Sequence, residues 1–100
     1  MMPPVRLRPE ALEELGEAWR WYEARRLGLG DEFGACVDAA MAEIGRAPSF
    51  CPKIRGNTRR KLLRRFPYAL LYLAEPEHVE VIAVFHAARD PKQWAQRVGT

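Results

Sequence analysis

The sequence predicts a single α+β domain spanning residues 1–100, with elements in the order β-α-α-β-β-β and a short C-terminal helix or turn. A helical hairpin is expected to pack on a small antiparallel sheet. Three observations predict this. Apolar residues recur at helical spacing from residue 9 to residue 44. From residue 49 the pattern changes to short, strand-like apolar runs. A chain of 100 residues, 48% of them hydrophobic, has material for one modest core.

The elements follow in order. PVRLR (4–8) alternates apolar and charged residues, as a short strand does. Pro9 suits the first position of a helix. In the segment that follows, Leu12, Leu15, Trp19 and Tyr22 fall on one helical face. Glutamates gather in its first turns, Arg25 and Arg26 in its last, which complements the helix dipole. Gly28 and Gly30 are placed to end it. Asp31 is the expected N-cap of a second helix, whose stripe is Phe33, Val37, Ala40, Met41 and Ile44. Gly45 and Pro48 stop that helix. So short a connection predicts an antiparallel hairpin.

SFCPKIRGNT reads as a loop. RRKLLRRF has a period of two and offers Leu62 and Leu63 to opposite faces, with Arg64 and Arg65 likewise opposed. YALLYLAE and VEVIAVFH are nearly continuous apolar runs, as central strands are, joined by a turn at PEH. Pro91 starts the last helix or turn, which carries Trp94.

Several function classes drop out on composition. A core of this size does not also enclose a large cofactor, so no cofactor is expected and any site lies in a surface groove. No apolar run is long enough to span a membrane. The N-terminal stretch has no hydrophobic signal region, so a cytoplasmic protein is expected. Cys36 and Cys51 lack the spacing of a metal site, and both are expected to be free thiols. Cys36 reads as a small core residue and Cys51 as part of a loop.

Net charge is +3, and its distribution says more. Lys53, Arg55, Arg59, Arg60, Lys61, Arg64 and Arg65 fall in one stretch without an acid among them. The acids gather earlier, at Glu10, Glu13, Glu14, Glu17, Glu23, Asp31 and Glu32. Such a basic block fits contact with a polyanion or an acidic protein.

RRFPYALLY (64–72), VEVIAVFHAARDP (79–91) and Trp94, with ALEELGEAWRWYEAR before them, carry a resemblance over nearly the whole chain. It resembles the RelE/ParE superfamily of toxins from type II toxin–antitoxin systems. The resemblance implies a toxin that arrests bacterial growth and is neutralised by a cognate antitoxin. It also implies one of two targets. ParE-like members interfere with DNA gyrase; RelE-like members cut mRNA at the ribosome without a metal. A third reading is a module that binds nucleic acid or a partner and has no toxicity.

If the chain is a nuclease, His86, Arg64 and Arg89 are the candidate catalytic residues. The histidine would move protons and the arginines would hold the phosphate. His86 has an alternative structural role, bonded to the turn that follows it, and Asp90 is expected to start the next turn. Lys53, Arg55, Arg59, Arg60, Lys61, Arg65 and Tyr68 are the candidate surface for antitoxin or nucleic acid. The tryptophans Trp19, Trp21 and Trp94 read as core or rim, or as an antitoxin anchor. RelE-type nucleases commonly carry an arginine after the strand tyrosine that aligns with Tyr68, and a tyrosine near the C-terminus. This chain has Ala69 and Trp94. The comparison favours the ParE-like branch.

Overall fold

The computed structural model describes residues 3–89 and residue 97. The expected C-terminal helix or turn from Pro91, together with Asp90 and Trp94, lies outside the described residues. The order is β1 (Val5–Leu7), α1 (Pro9–Arg25), α2 (Leu29–Arg46), β2 (Lys53–Arg55), β3 (Thr58–Leu62), β4 (Tyr68–Ala74) and β5 (Val79–His86).

The strands form one five-stranded sheet in the order β1-β5-β4-β3-β2. β2 to β5 are antiparallel neighbours, and β1 runs parallel to β5. The meander is as expected, but two features correct the sequence reading. The stretch read as a loop before residue 58 contains β2, which pairs with β3 through a tight turn at Gly56 and Asn57. Its alternation is only three residues long, too short to register as a period. The sheet is also mixed, because the helical hairpin returns the chain so that β5 lies alongside β1 in the same direction.

α1 begins at Pro9 as expected. Its buried residues are Ala11, Ala18 and Tyr22, with Leu15 packed against them. That stripe is rotated from the expected one, so Leu12 is 57% exposed. The small alanines let α1 approach the sheet closely, and this outweighs the larger side chain next door. α2 buries Phe33, Val37, Ala40 and Ile44, as the spacing predicts.

The helix connection is tighter than expected. Gly28 has φ of 89°, a left-handed conformation that suits glycine. α2 starts directly after it, so Asp31 is not the N-cap. The Glu23 carboxylate instead accepts the N–H groups of Gly28 and Gly30, both at 2.9 Å. This satisfies donors at the start of α2 that have no partner within the helix. Asp31 accepts the Trp19 indole N–H at 3.2 Å.

Apolar side chains pack on both faces of the sheet. The helix side holds Tyr22, Phe33, Val37, Ile44, Phe66, Leu70, Tyr72, Val79, Val81 and Val84. The other side holds Ala69, Leu71, Ile82, Ala83 and Phe85. β5, like β4, supplies both faces, but its alternation is interrupted by a bulge. Leu71 pairs with Ala83 and Tyr72 with Val81, so Ile82 has no counterpart on β4. The extra residue switches the alternation. Val79 and Val81 face the helices before it, and Val84 faces them after it.

Cys36 packs against the core from α2 and Cys51 lies between α2 and β2, both as expected, but it is Cys51 that is the more buried. Cys51 is buried and Cys36 is half-buried; both are free thiols. Cys51 sits beneath Arg59, whose guanidinium holds the Cys51 and Ser49 carbonyls at 2.6 and 3.0 Å.

Candidate functional site

The bulge has a direct consequence for the end of β5. It brings Val84 and His86 to the same groove, between α1 and the β4–β5 pair. The groove has a volume of about 530 Å³. Trp21 and Tyr22 form its helix wall, Tyr68, Val84 and His86 its sheet wall. Glu14, Glu17 and Arg89 supply its charge.

An aromatic chain supports this groove from below. Phe33, Phe66, Tyr22 and Tyr68 meet one another at centroid distances of 4.8 to 6.0 Å. The Tyr68 and His86 rings are 5.2 Å apart, edge to face. Such pairs add packing energy beyond area burial and fix ring orientation. Trp21 lies at the groove's mouth, 52% exposed, with the Arg25 guanidinium 4.0 Å from its ring centroid.

His86 takes part in its own turn. Its Nδ1 accepts the Ala88 N–H at 3.1 Å, and its carbonyl accepts the Arg89 N–H at 3.0 Å. In the neutral ring the proton therefore sits on Nε2. The turn-capping alternative for this histidine is thus present in the structure. Burial raises the pKa of the Tyr68 phenol, Arg89 counters the shift and Glu17 adds to it. The phenol stays protonated at neutral pH and does not act as a base there.

The structure brings His86, Arg89 and Tyr68 together and separates them from Arg64. Arg64 lines a different groove, against α2, and pairs with Glu43 at 3.2 Å. It does not lie on a strand. β3 ends at Leu62, and Arg65 has φ of 70° in a three-residue turn closed by the Phe66 N–H on the Arg64 carbonyl at 2.8 Å. The expected strand alternation of Arg64 and Arg65 is therefore replaced by a turn. The alternation of Leu62 and Leu63 survives, with Leu63 buried and Leu62 exposed.

The basic block is not one surface. Cross-strand partners put Arg59 and Lys61 on the helix face of β3 and Arg60 on the other. Lys61 pairs with Glu43, and Arg65 with Glu32 at 2.7 Å. Arg59 is spent on the carbonyls already described. Among the described residues, Lys53, Arg55 and Arg60 are exposed and make no salt bridge. Lys61 and Arg65 hold the carboxyls of Glu43 and Glu32 below the ordinary glutamate range.

Sequence reasoning missed Glu32 and Glu43 as neutralisers of the basic block. The signal was available: they lie eleven residues apart on α2, three helical turns, and so share a face. It also missed Glu14, Glu17 and Tyr22 as groove residues. No spacing rule relates them to His86, because the β5 bulge decides which side His86 takes.

Comparison with known proteins adds to this geometry. Residues 5–91 match the family described as ParE toxin of type II toxin-antitoxin system, parDE. The chain belongs to this ParE toxin family. It is accordingly the toxin component of a type II toxin–antitoxin system. Two solved structures share the fold. One is described as the chromosomal ParDE TA system from P. aeruginosa, with a TM-score of 0.76 and 10% identity, covering 85% of this chain and 96% of that one. The other is the toxin-antitoxin complex RelBE2 from Mycobacterium tuberculosis, with a TM-score of 0.62 and 25% identity, covering 89% of this chain and 95% of that one. No curated protein matches the sequence significantly. Among the described residues of this ParE-family chain, no helix is long and apolar enough to cross a membrane.

Proposed function

We propose that the chain is a ParE-like toxin of the cytoplasm that arrests growth by interfering with DNA gyrase, and that a cognate antitoxin neutralises it. The observation that supports this reading over RNA cleavage is the dispersal of the nuclease candidates. Arg64 is engaged by Glu43 in a different groove from His86 and Arg89. In the groove itself, Arg89 shares the walls with Glu14 and Glu17, which repel a phosphodiester. Ala69 supplies no charge to that groove and is buried on the opposite face of the sheet. Transition-state stabilisation of a phosphoryl group needs convergent cations, and these residues do not converge. Both structural neighbours are described as toxin–antitoxin systems, which supports an antitoxin as partner.

The RelE-like reading rests on one observation, the shared groove of His86, Tyr68 and Arg89. The two readings part in a reconstituted assay. Purified toxin is added to gyrase with supercoiled DNA, and separately to translating ribosomes with defined mRNA. The proposal expects gyrase-dependent DNA breaks or loss of supercoiling, and intact mRNA. Ribosome-dependent mRNA cleavage that His86→Ala abolishes would overturn it.

A further inference from the structure

Within the basic block, α2 sorts the cations into two groups. Lys61 and Arg64 are held by Glu43, and Arg65 by Glu32. Arg59 holds the Ser49 and Cys51 carbonyls. These four are engaged within the fold. Lys53, Arg55 and Arg60 are all exposed, and none makes a salt bridge among the described residues. They belong to the hairpin of β2 and β3, and β2 is the outermost strand of the sheet. Lys53 lies opposite Arg59 and Arg55 opposite Thr58, so the irregularity between them turns the two side chains to opposite faces. Arg60 lies two residues along from Thr58 and shares the face of Arg55. On an outermost strand, side chains of both faces border one rim. That rim carries cations on both flanks, joined by the Gly56–Asn57 turn.

The residue types narrow the kind of partner. From Pro52 to Arg60 the exposed residues are a proline, a glycine, an asparagine and the three cations. Ile54 packs against the far face of the sheet. No exposed aromatic or large aliphatic side chain stands among them. Protein-binding hot spots are built on such anchors, and single-stranded nucleic acid is stacked on aromatic rings. Phe50 and Leu62, which adjoin the hairpin in sequence, line hollows against α2 instead. Cations without apolar anchors suit a regular array of phosphates. Glu75 borders the same hollow as Lys53, which weakens that contact relative to the two arginines.

We propose that the rim of the β2–β3 hairpin, through Lys53, Arg55 and Arg60, contacts the phosphate backbone of duplex DNA without reading its bases. The choice of duplex DNA rests on the gyrase reading, since gyrase acts on duplex DNA. The contact adds to that reading that the toxin touches the nucleic acid as well as the enzyme. β3 and β4 separate the rim from β5, whose end borders the groove of His86, so the two surfaces are distinct. Contacts of this kind hold and orient a duplex but carry no sequence information.

The test uses the full chain and a fluorescent duplex of about 20 base pairs, titrated by anisotropy at about 50 to 200 mM salt. Three phosphate contacts are expected to give a slope of log affinity on log salt of about −2.7, a loss of about fortyfold across that range. Arg55→Gln and Arg60→Gln are each expected to reduce the slope by about 0.9, and Lys53→Gln by less. The triple variant is expected to bind at least about tenfold more weakly at the lowest salt. Arg26→Gln removes a cation already paired with Glu32 and is expected to change neither affinity nor slope. Two unrelated duplex sequences are expected to bind alike. Thermal melts check that the variants are folded, and the slope of the unaltered chain decides the matter if one is not. A slope near zero, or a triple variant that binds like the parent, overturns the proposal. So does tighter binding of single-stranded RNA of the same length, which would assign the rim to RNA. Equal binding of a charge-matched oligoglutamate also overturns it and would assign the rim to an acidic protein. Gyrase is absent from this assay, so its failure leaves the gyrase reading standing. Duplex binding by a chain that leaves gyrase unaffected would support the contact and contradict that reading.

Discussion

Tyr72 shows how one side chain ties two parts of this molecule together. It is fully buried, and its hydroxyl donates to the Pro48 carbonyl at 2.8 Å, fastening the segment after α2 onto β4. Burial raises the pKa of its phenol, so the donor is present throughout the physiological range. Tyr72→Phe keeps the ring and removes only that donor. The expected cost is about 1 kcal/mol, read from urea unfolding midpoints. His86 has its Nδ1 occupied by the Ala88 N–H, so it is partly a turn residue whatever else it does. The sequence stated that alternative but could not choose. The choice depends on a backbone N–H two residues further on, in a turn whose geometry a residue string does not carry. Arg64 and Arg65 were legible as cations. Their carboxylate partners were not, because they come from a helix more than twenty residues away in the chain.

Individual elements were legible where the apolar period was long. α2, β4 and β5 lie where their patterns place them. The misreadings fall where a short-range pattern meets a long-range contact. Leu12 is larger than Ala11, yet Ala11 is the buried one, because α1 lies close enough to the sheet to prefer the smaller side chain. Asp31 had the chemistry of an N-cap, but Glu23 reaches the start of α2 from the preceding helix. Gly30 is the hinge of that arrangement. A Cβ there would lie 2.8 Å from both the Trp19 ring and its carbonyl oxygen. Gly30→Ala is therefore expected to push the helices apart and cost about 1–3 kcal/mol, measurable as a drop in melting temperature. The turn at Arg65 gives a second element-scale prediction. Its φ of 70° disfavours branched side chains. Arg65→Val is expected to lower the melting temperature well below that of Arg65→Gly, although both lose the Glu32 pair. Equal melting of the two would show that the ion pair, and not the backbone, dominates.

Across the whole molecule, ion pairs join separate elements. Glu80 pairs with Arg8 and lies 3.4 Å from His78, tying the end of β1 to β5. The Arg8 bond and charge hold its carboxyl below the ordinary value of 4.5, and Glu43 and Glu32 are lowered in the same way by Lys61 and Arg65. A depressed carboxyl contributes stability above its unfolded pKa and loses it as pH falls through the folded one. Unfolding free energy is thus expected to hold between about pH 5 and 7 and to decline below about pH 4.5. Glu80→Gln is expected to be less stable than the parent at neutral pH and to show a shallower acid decline. The same ion pairs neutralise part of the basic block, while Lys53, Arg55 and Arg60 stay exposed and make no salt bridge among the described residues. Net charge was readable from the chain, whereas the fraction already neutralised by α2 was not. The groove at the end of β5 is shaped by a bulge and lined by residues of α1 and of the chain from Pro67 to Arg89. The proposed action of this ParE-family toxin is on DNA replication, by binding and not by bond cleavage. The most direct test follows DNA and protein synthesis in parallel after induction of the chain, or of His86→Ala, in bacteria. Early loss of DNA synthesis with translation continuing is expected, together with full toxicity of the variant. Early loss of translation with fragmented mRNA, abolished in the variant, would contradict it.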